Sequence, residues 1–557
     1  MGEAARSPTV LMFPFLAHGH VTPYLGLAKN LSDRGFLIHL CSTPIILSSV
    51  KKMIPEKYSD SIRLVELHLP ELPELPPHYH TTNGLPRHLQ PTLRKALGMS
   101  KPNFRKIMEA LSPDLLVLDF LQVWAEGVAR DLNVPAVRFY NVCAATSSYI
   151  TFATRDPLSE YPFPEIRLKG FADPCFRATI DHVMRGGRDP EEYLSNPQMV
   201  LISSSMEMEP KYIEYYSRFL GCKVVPIGLL AQDPHQQNEK HEEEKSELLD
   251  WLGEKEEGSV VYISFGSEYF LSKEDTEEIA HGLELLVDDT NVNFIWVLRF
   301  PNGDEKVSAE DTLPQGFSKR IGERGRVVEG WAPQVKILSH SSVGGFLTHC
   351  GWNSIMESLN SRVPIIAMPM HSDQPVNARF LEEMGLAVEI ARDAAGKLCR
   401  EEIARVVKEA MGGESGEALK RRVKHMSDRL KLKKEEEIDA AAVELRKLCG
   451  VTAVETVDAV EAAHLMSSED VEAPPVPQPD TNLDEEDDGL DADDLKLFPL
   501  LKIRASPKHL VAPMRQFNAC QKRVVVELGA EIDAYSALDP AVRVVILKAL
   551  CDIRVEI

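Results

Sequence analysis

Short apolar runs alternate with helical patterns along most of this chain. Residues 10–16 form a strand-like run, residues 23–31 have helical spacing, and Leu37–Ser42 is the next apolar run. Strand, turn, helix and strand in that order make a βαβ opening, which predicts a parallel sheet. Residues 115–118 read as a further buried strand. After a polar, charged linker at 232–246 the alternation resumes. Helix is predicted for 247–251, 275–286, 374–384 and Arg400–Met411. Strand is predicted for Val260–Ser264, Asn293–Leu298, 343–347, 364–370 and 386–390. The expectation is α/β throughout: a second doubly wound sheet behind the first. A charged helix is expected to end near residue 449.

Beyond residue 450 the pattern changes. Residues 467–494 are Pro-rich and then acidic, with twelve carboxylates and no Lys or Arg between Glu469 and Asp494. Such a composition buries too little apolar surface to fold, so this stretch is expected to be disordered. Residues 495–557 turn apolar again, with helical spacing after Asp539-Pro540. The expected domains are 1–240, 241–449, an acidic linker at 450–494 and a helical extension at 495–557.

Charge and cysteine usage narrow the function classes. The formal charge is −23, with no overall nucleic-acid footprint. Nine cysteines occur singly, with no C-x-x-C spacing. Reduced thiols and a cytoplasmic location are expected, not a disulfide framework or a zinc site. Residues 10–17 are too short and Pro-interrupted for a secretory segment, and no apolar run approaches the roughly 18 residues of a membrane span. No membrane anchor and a monomeric chain are expected.

Candidate chemistry sits at predicted strand ends. His20 follows the first strand and Asp119 ends the 115–118 run. In a parallel sheet both lie at the carboxyl edge, where ligands bind. A carboxylate on the second ring nitrogen of His20 would fix its tautomer and stabilise the imidazolium as the ring takes a proton. Alone, each residue has a structural reading: a packed histidine, or a helix cap.

The richest stretch runs from Trp331 to Gln374. An apolar strand feeds Thr348-His349-Cys350-Gly351-Trp352-Asn353-Ser354 and then a helical pattern. A tight turn into a helix N-terminus is an anion site, because free N–H groups and the positive dipole end point outward. His349, Asn353 and Ser354 add side-chain donors, Glu357 an acceptor for a hydroxyl, and Trp331 a flat face for a ring. Asp373 and Gln374 close the stretch as a polar pair suited to sugar hydroxyls. A phosphate cradle, a stacking face and hydroxyl acceptors together suggest a nucleotide-sugar site.

This stretch resembles the signature box of plant secondary-product glycosyltransferases, with W-x-P-Q, H-C-G-W-N-S, the Glu three residues later and the terminal D-Q all present without a gap. The resemblance extends over roughly residues 8–449. It implies the GT-B architecture, two Rossmann-like domains facing a cleft, and an inverting transfer from a UDP-sugar with no metal or other cofactor. It implies His20 as general base and Asp119 as its partner. It gives Trp331, Ala332 and Gln334 to uracil and ribose and Glu357 to the ribose hydroxyls. Ser267, His349, Asn353 and Ser354 go to the diphosphate, and Trp352, Asp373 and Gln374 to the sugar. The terminal Gln implies UDP-glucose. The motifs around His20, Asp119 and Ser267 resemble the branch that extends sugars on already glycosylated flavonoids or terpenoids, although Val123 departs from the Pro common there. Transfer to a bare aglycone is the alternative.

Two features stand apart. Arg362 occupies a position where the family usually has Gly, which raises local strain if the backbone there is left-handed. Residues 542–556 resemble the opening helices of a DDT domain. That leaves a chromatin-associated interaction protein as a reading from another class, and an unrelated helical extension as the plainer one. A non-catalytic sugar-nucleotide binder is disfavoured by the presence of both His20 and Asp119.

Overall fold

The computed structural model describes residues 6–450 apart from 157–158, 169–171, 175, 178–194, 231–241, 268 and 301–307. The acidic linker, the helical extension and most of the 232–246 linker lie outside the described residues.

The first half forms one parallel sheet from β1 (Thr9–Phe13), β2 (Leu37–Ser42), β3 (Ile62–Glu66), β4 (Leu115–Asp119), β5 (Ala136–Tyr140), β6 (Met199–Ile202) and β7 (Lys223–Pro226). Its spatial order is β3-β2-β1-β4-β5-β6-β7. The second half forms another from β8 (Val260–Ser264), β9 (Asn293–Leu298), β10 (Gly325–Glu329), β11 (Val343–Thr348), β12 (Ile365–Ala367) and β13 (Ala387–Glu389), ordered β10-β9-β8-β11-β12-β13. Every pairing is parallel. In each sheet the order reverses once, between β1 and β4 and between β8 and β11. At such a switch point the two outgoing connections diverge to opposite faces and open a crevice at the carboxyl edge.

The apolar runs became strands because both faces of each sheet are covered. Val10, Leu11, Met12 and Phe13 are all buried, as are Leu115 to Leu118. Three expected strands are shorter than predicted, the one over 386–390 spanning only Ala387–Glu389. The first stops at Phe13, where Pro14 ends the ladder, and the strand expected over 364–370 spans only Ile365–Ala367. Strand β10 is polar at both ends and carries no alternating signal. It pairs with β9 from Gly325 to Glu329, and glycine is required at its start because an added Cβ would lie 2.5 Å from the Phe294 ring.

The last helix, Gly413–Leu448, crosses from the second half to the first. Its end packs Ala441, Ala442 and Leu445 into the core around β1 and β4. Glu437 accepts from Ser205 Oγ at 2.9 Å and from the Met206 N–H at 2.7 Å. Arg34 binds Asp439 at 2.6 Å and Glu435 at 2.8 Å. Chain order alone gives this helix to the second half, whereas its contacts tie the halves together.

Arg362 has φ +62°, the left-handed backbone that its place after a helix requires. The preceding helix Trp352–Asn360 ends in a Schellman turn, with Val363 N–H on Ser358 O at 2.9 Å and Arg362 N–H on Leu359 O at 3.1 Å. The Arg362–Asp428 ion pair is half exposed, so it offsets little of the strain. Arg362→Gly is expected to raise stability by about 1 kcal/mol, read as a later denaturation midpoint. An unchanged or earlier midpoint would show that the ion pair outweighs the strain.

Candidate active site

His20 follows, and Asp119 ends, the two strands that flank the first switch point. His20 lies in the opening turn of the helix His18–Ser32, and Asp119 is the last residue of β4. Their contact is short: His20 Nδ1 to Asp119 Oδ2 is 2.7 Å. Asp119 is fully buried, while the His20 side chain keeps 19% exposure. The other carboxylate oxygen accepts the Leu121 N–H at 2.9 Å. Asp119 therefore braces its own turn and His20, and the helix beginning at Trp124 has Val123 at its cap. With Nδ1–H donating to the carboxylate, Nε2 is the unprotonated ring nitrogen and the one able to accept a proton.

Aromatic rings surround this pair. Phe15 meets the His20 ring edge-on at 5.4 Å, Phe120 lies 5.8 Å away, and Tyr140 stacks on Phe120 at 4.9 Å. The loop after β3 closes over the same edge, with the Thr82 N–H on Leu16 O at 2.8 Å and Thr43 Oγ1 on His80 O at 2.7 Å.

The second switch point holds the other candidates. Ser264 of β8 pairs with Thr348 of β11, so the turns carrying Ser267 and His349 are neighbours. The His349 ring is clamped between two glycines. A Cβ on Gly266 would lie 2.7 Å from its Nε2, and one on Gly351 would lie 2.6 Å from the same atom. Burial lowers the His349 pKa to about 3, reinforced by His371 and Arg299. The ring is therefore neutral at working pH and carries one N–H, for which the Ser264 backbone already competes. Cys350, between His349 and Gly351, has φ +65°, a left-handed, strained turn just before the helix that starts at Trp352.

Trp331 leaves β10 after Gly330, whose φ is +78°, and is half exposed. Ala332 is buried, and its carbonyl accepts the Gln334 N–H at 2.8 Å. Gln334 Nε2 donates to Glu357 at 2.7 Å and to Ser354 Oγ at 3.1 Å, and its Oε1 accepts from Tyr262 at 3.3 Å. Burial pushes the Glu357 carboxyl up to about 7. The Gln374 Oε1 accepts the N–H groups of Met370 and His371 at 3.1 and 3.0 Å, which leaves its NH₂ end for other partners.

Three residues do more than the sequence suggested. The Trp352 indole is buried and donates to Ser203 O at 2.6 Å, a contact between the halves. It leaves the backbone of Trp352 as its means of touching a ligand. Asn353 Nδ2 reaches Gly19 O at 2.7 Å, beside His20. Asp373 is held at 2.7 Å by Asn377, whose Nδ2 also meets Cys350 O at 3.0 Å and whose Oδ1 accepts from Thr146 at 2.6 Å. Burial raises the Asp373 carboxyl, against that hydrogen bond. The sequence reading passed over Asn377, although its i,i+4 spacing from Asp373 on one helix face was the available signal. Tyr140 and Asn141 were also missed: both stand at the end of β5, whose place beside β4 is a matter of topology.

Arg299 follows β9 at the same edge. Burial lowers its pKa, and its Nε has no hydrogen-bond partner among the described residues. No group of three or more His, Cys, Asp or Glu among the described residues could hold a metal ion. No described helix is long and apolar enough to cross a membrane.

Residues 181–441 match the UDP-glucuronosyl and UDP-glucosyl transferase family and residues 7–228 match a glycosyltransferase N-terminal domain. The chain is 46% identical over 442 residues to a β-D-glucosyl crocetin β-1,6-glucosyltransferase of Gardenia jasminoides, covering 78% of this chain and 98% of that one. It is 46% identical over 454 residues to a mogroside IIIx synthase of Siraitia grosvenorii, covering 80% and 94%. The structure of Phytolacca americana UGT2 with UDP-2-fluoro-glucose and pterostilbene superposes with a TM-score of 0.65 at 27% identity, over 80% of this chain and all of that one. The expected GT-B architecture holds.

Proposed function

The chain belongs to the UDP-glucuronosyl and UDP-glucosyl transferase family, in its plant secondary-metabolite branch, and we propose that it moves glucose from UDP-glucose onto a sugar hydroxyl of an already glycosylated flavonoid or terpenoid. The observation that carries this reading is the 2.7 Å contact between His20 and Asp119 inside an aromatic wall, with the donor loop bonded to the neighbouring residue.

In this reading His20 Nε2 takes the proton of the acceptor hydroxyl. The oxygen attacks the anomeric carbon from the face opposite UDP, the bond to the diphosphate breaks, and configuration inverts. Asp119 balances the imidazolium. The leaving diphosphate gains charge, and donors fixed beforehand stabilise it without reorganisation. These are the neutral His349, Ser267, Ser354, Asn353 and the helix N-terminus at Trp352, with Arg299 adding a formal positive charge nearby. Trp331 stacks on uracil beside the Ala332 backbone. Gln334 acts through Glu357, aiming its carboxylate at the ribose hydroxyls. Asp373 and the NH₂ end of Gln374 take the sugar hydroxyls. No metal is needed for this charge balance.

Glu357 makes the donor site pH-dependent. Its free carboxyl ionises near 7, and ribose hydroxyls donate best to the ionised form, so binding lowers that pKa. Uridine, which carries no phosphate to confuse the titration, is expected to bind more weakly as pH falls below about 7, by up to about tenfold per unit. Calorimetric titration between pH 5.5 and 8.5 measures this, and Glu357→Gln is expected to flatten the profile.

The functional test is turnover of UDP-glucose by the full chain against quercetin, quercetin 3-glucoside and a triterpene monoglucoside. Product on the glucosides alone supports sugar-on-sugar transfer. Product on quercetin alone overturns the acceptor assignment and leaves the mechanism standing.

A further inference from the structure

The helix that carries His20 contains a proline, Pro23, inside its second turn. In a regular α-helix the N–H of residue 23 would donate to the carbonyl of residue 19. Proline has no N–H, so the Gly19 carbonyl lacks that helical partner. Two side-chain amides take it instead. Asn353 Nδ2 reaches it at 2.7 Å from the donor loop of the second half. Asn141 Nδ2 reaches it at 2.9 Å from the end of β5 in the first half. Gly19 is covalently next to His20. One backbone oxygen thus joins the donor loop, the first sheet and the residue beside the base.

We propose that Pro23 is a positioning residue for glycosyl transfer: by withholding an N–H from Gly19, it keeps that carbonyl open to Asn353 and so registers His20 with the donor loop. A carbonyl oxygen has two lone pairs. Any other residue at position 23 would bring a third donor, held in place by the helix itself. The half-exposed Asn353 amide would lose that competition, and the two halves would meet without a fixed register. This inference rests on the reading of His20 as the base.

A packing role for Pro23 predicts the opposite stability effect. Proline is the poorest residue for a helix interior, so Pro23→Ala is expected to melt at or above the wild-type temperature if the residue serves positioning. If its ring is kept for packing, the variant melts lower.

The experiment compares full-length wild type, Pro23→Ala, Asn353→Ala, the double variant and His20→Ala, using UDP-glucose and the acceptor of highest turnover in the panel above. Pro23→Ala is expected to bind UDP with the wild-type Kd, because the UDP site lies in the second half. Its kcat is expected to fall about tenfold through misregister of the reacting groups. In the Asn353→Ala background the same change is expected to cost less than about twofold, because the contact it acts through is already gone. Wild-type kcat in Pro23→Ala, a lower melting temperature, or an equal loss in both backgrounds would each overturn the proposal. An active His20→Ala would instead overturn the base assignment, which separates the two failures.

Discussion

His20→Ala is expected to lower kcat by roughly 10²–10⁴-fold, the usual contribution of a positioned general base, with little change in UDP affinity. The separation follows from the fold. His20 belongs to the first half of the chain, and the residues assigned to UDP belong to the second. Asp119→Asn is the sharper companion. Asp119 is buried and accepts from both His20 and the Leu121 N–H. An asparagine keeps its oxygen on one of these donors and turns its NH₂ toward the other. Where the NH₂ faces the ring, Nδ1 must accept, and the proton moves to Nε2, the atom that should receive one. The expected loss is again at least about 10²-fold, with the melting temperature nearly kept. Steady-state kinetics with a product assay checks both variants. Turnover of His20→Ala within about threefold of wild type would remove this histidine from the chemistry.

Gly266→Ala has the second-largest expected effect, and it falls on the donor. Gly266 has φ +78°, a backbone that costs other residues about 1–2 kcal/mol. A Cβ there would also lie 2.7 Å from His349 Nε2. The ring cannot retreat, because Gly351 closes its other side within the same distance range. His349 must shift, and the diphosphate hydrogen bond proposed for it goes with it. A bond to a charged group is worth about 1.5–3 kcal/mol, so the KM for UDP-glucose is expected to rise about 10–100-fold. Gly351→Ala isolates the contact, since φ there is −64° and adds no backbone strain. It should shift KM in the same direction by less. If neither variant moves the KM for UDP-glucose or the affinity for UDP, His349 is not a diphosphate donor.

Two parallel sheets and the family are legible along the chain. Buried parallel strands need continuous apolar runs, and those runs are visible at residues 10–13, 115–118, 260–264 and 343–347. Most chemistry-bearing residues of the second half also lie in one contiguous stretch, because a strand, a turn and a helix N-terminus are consecutive in the chain; Ser267 and Arg299 join them from just after β8 and β9. The tertiary structure alone decided what lies beside what across strands and between halves. His20 and Asp119 are 99 residues apart, and their contact exists because β1 and β4 are neighbours at a switch point. Tyr140 and Asn141 enter the site because β5 lies next to β4. Trp352 and Asn353 reach across to Ser203 and Gly19, which no local pattern encodes. The end of the last helix joins the first core for the same reason. Local propensity and burial are written along the chain; hydrogen bonds between distant residues depend on how the two sheets meet.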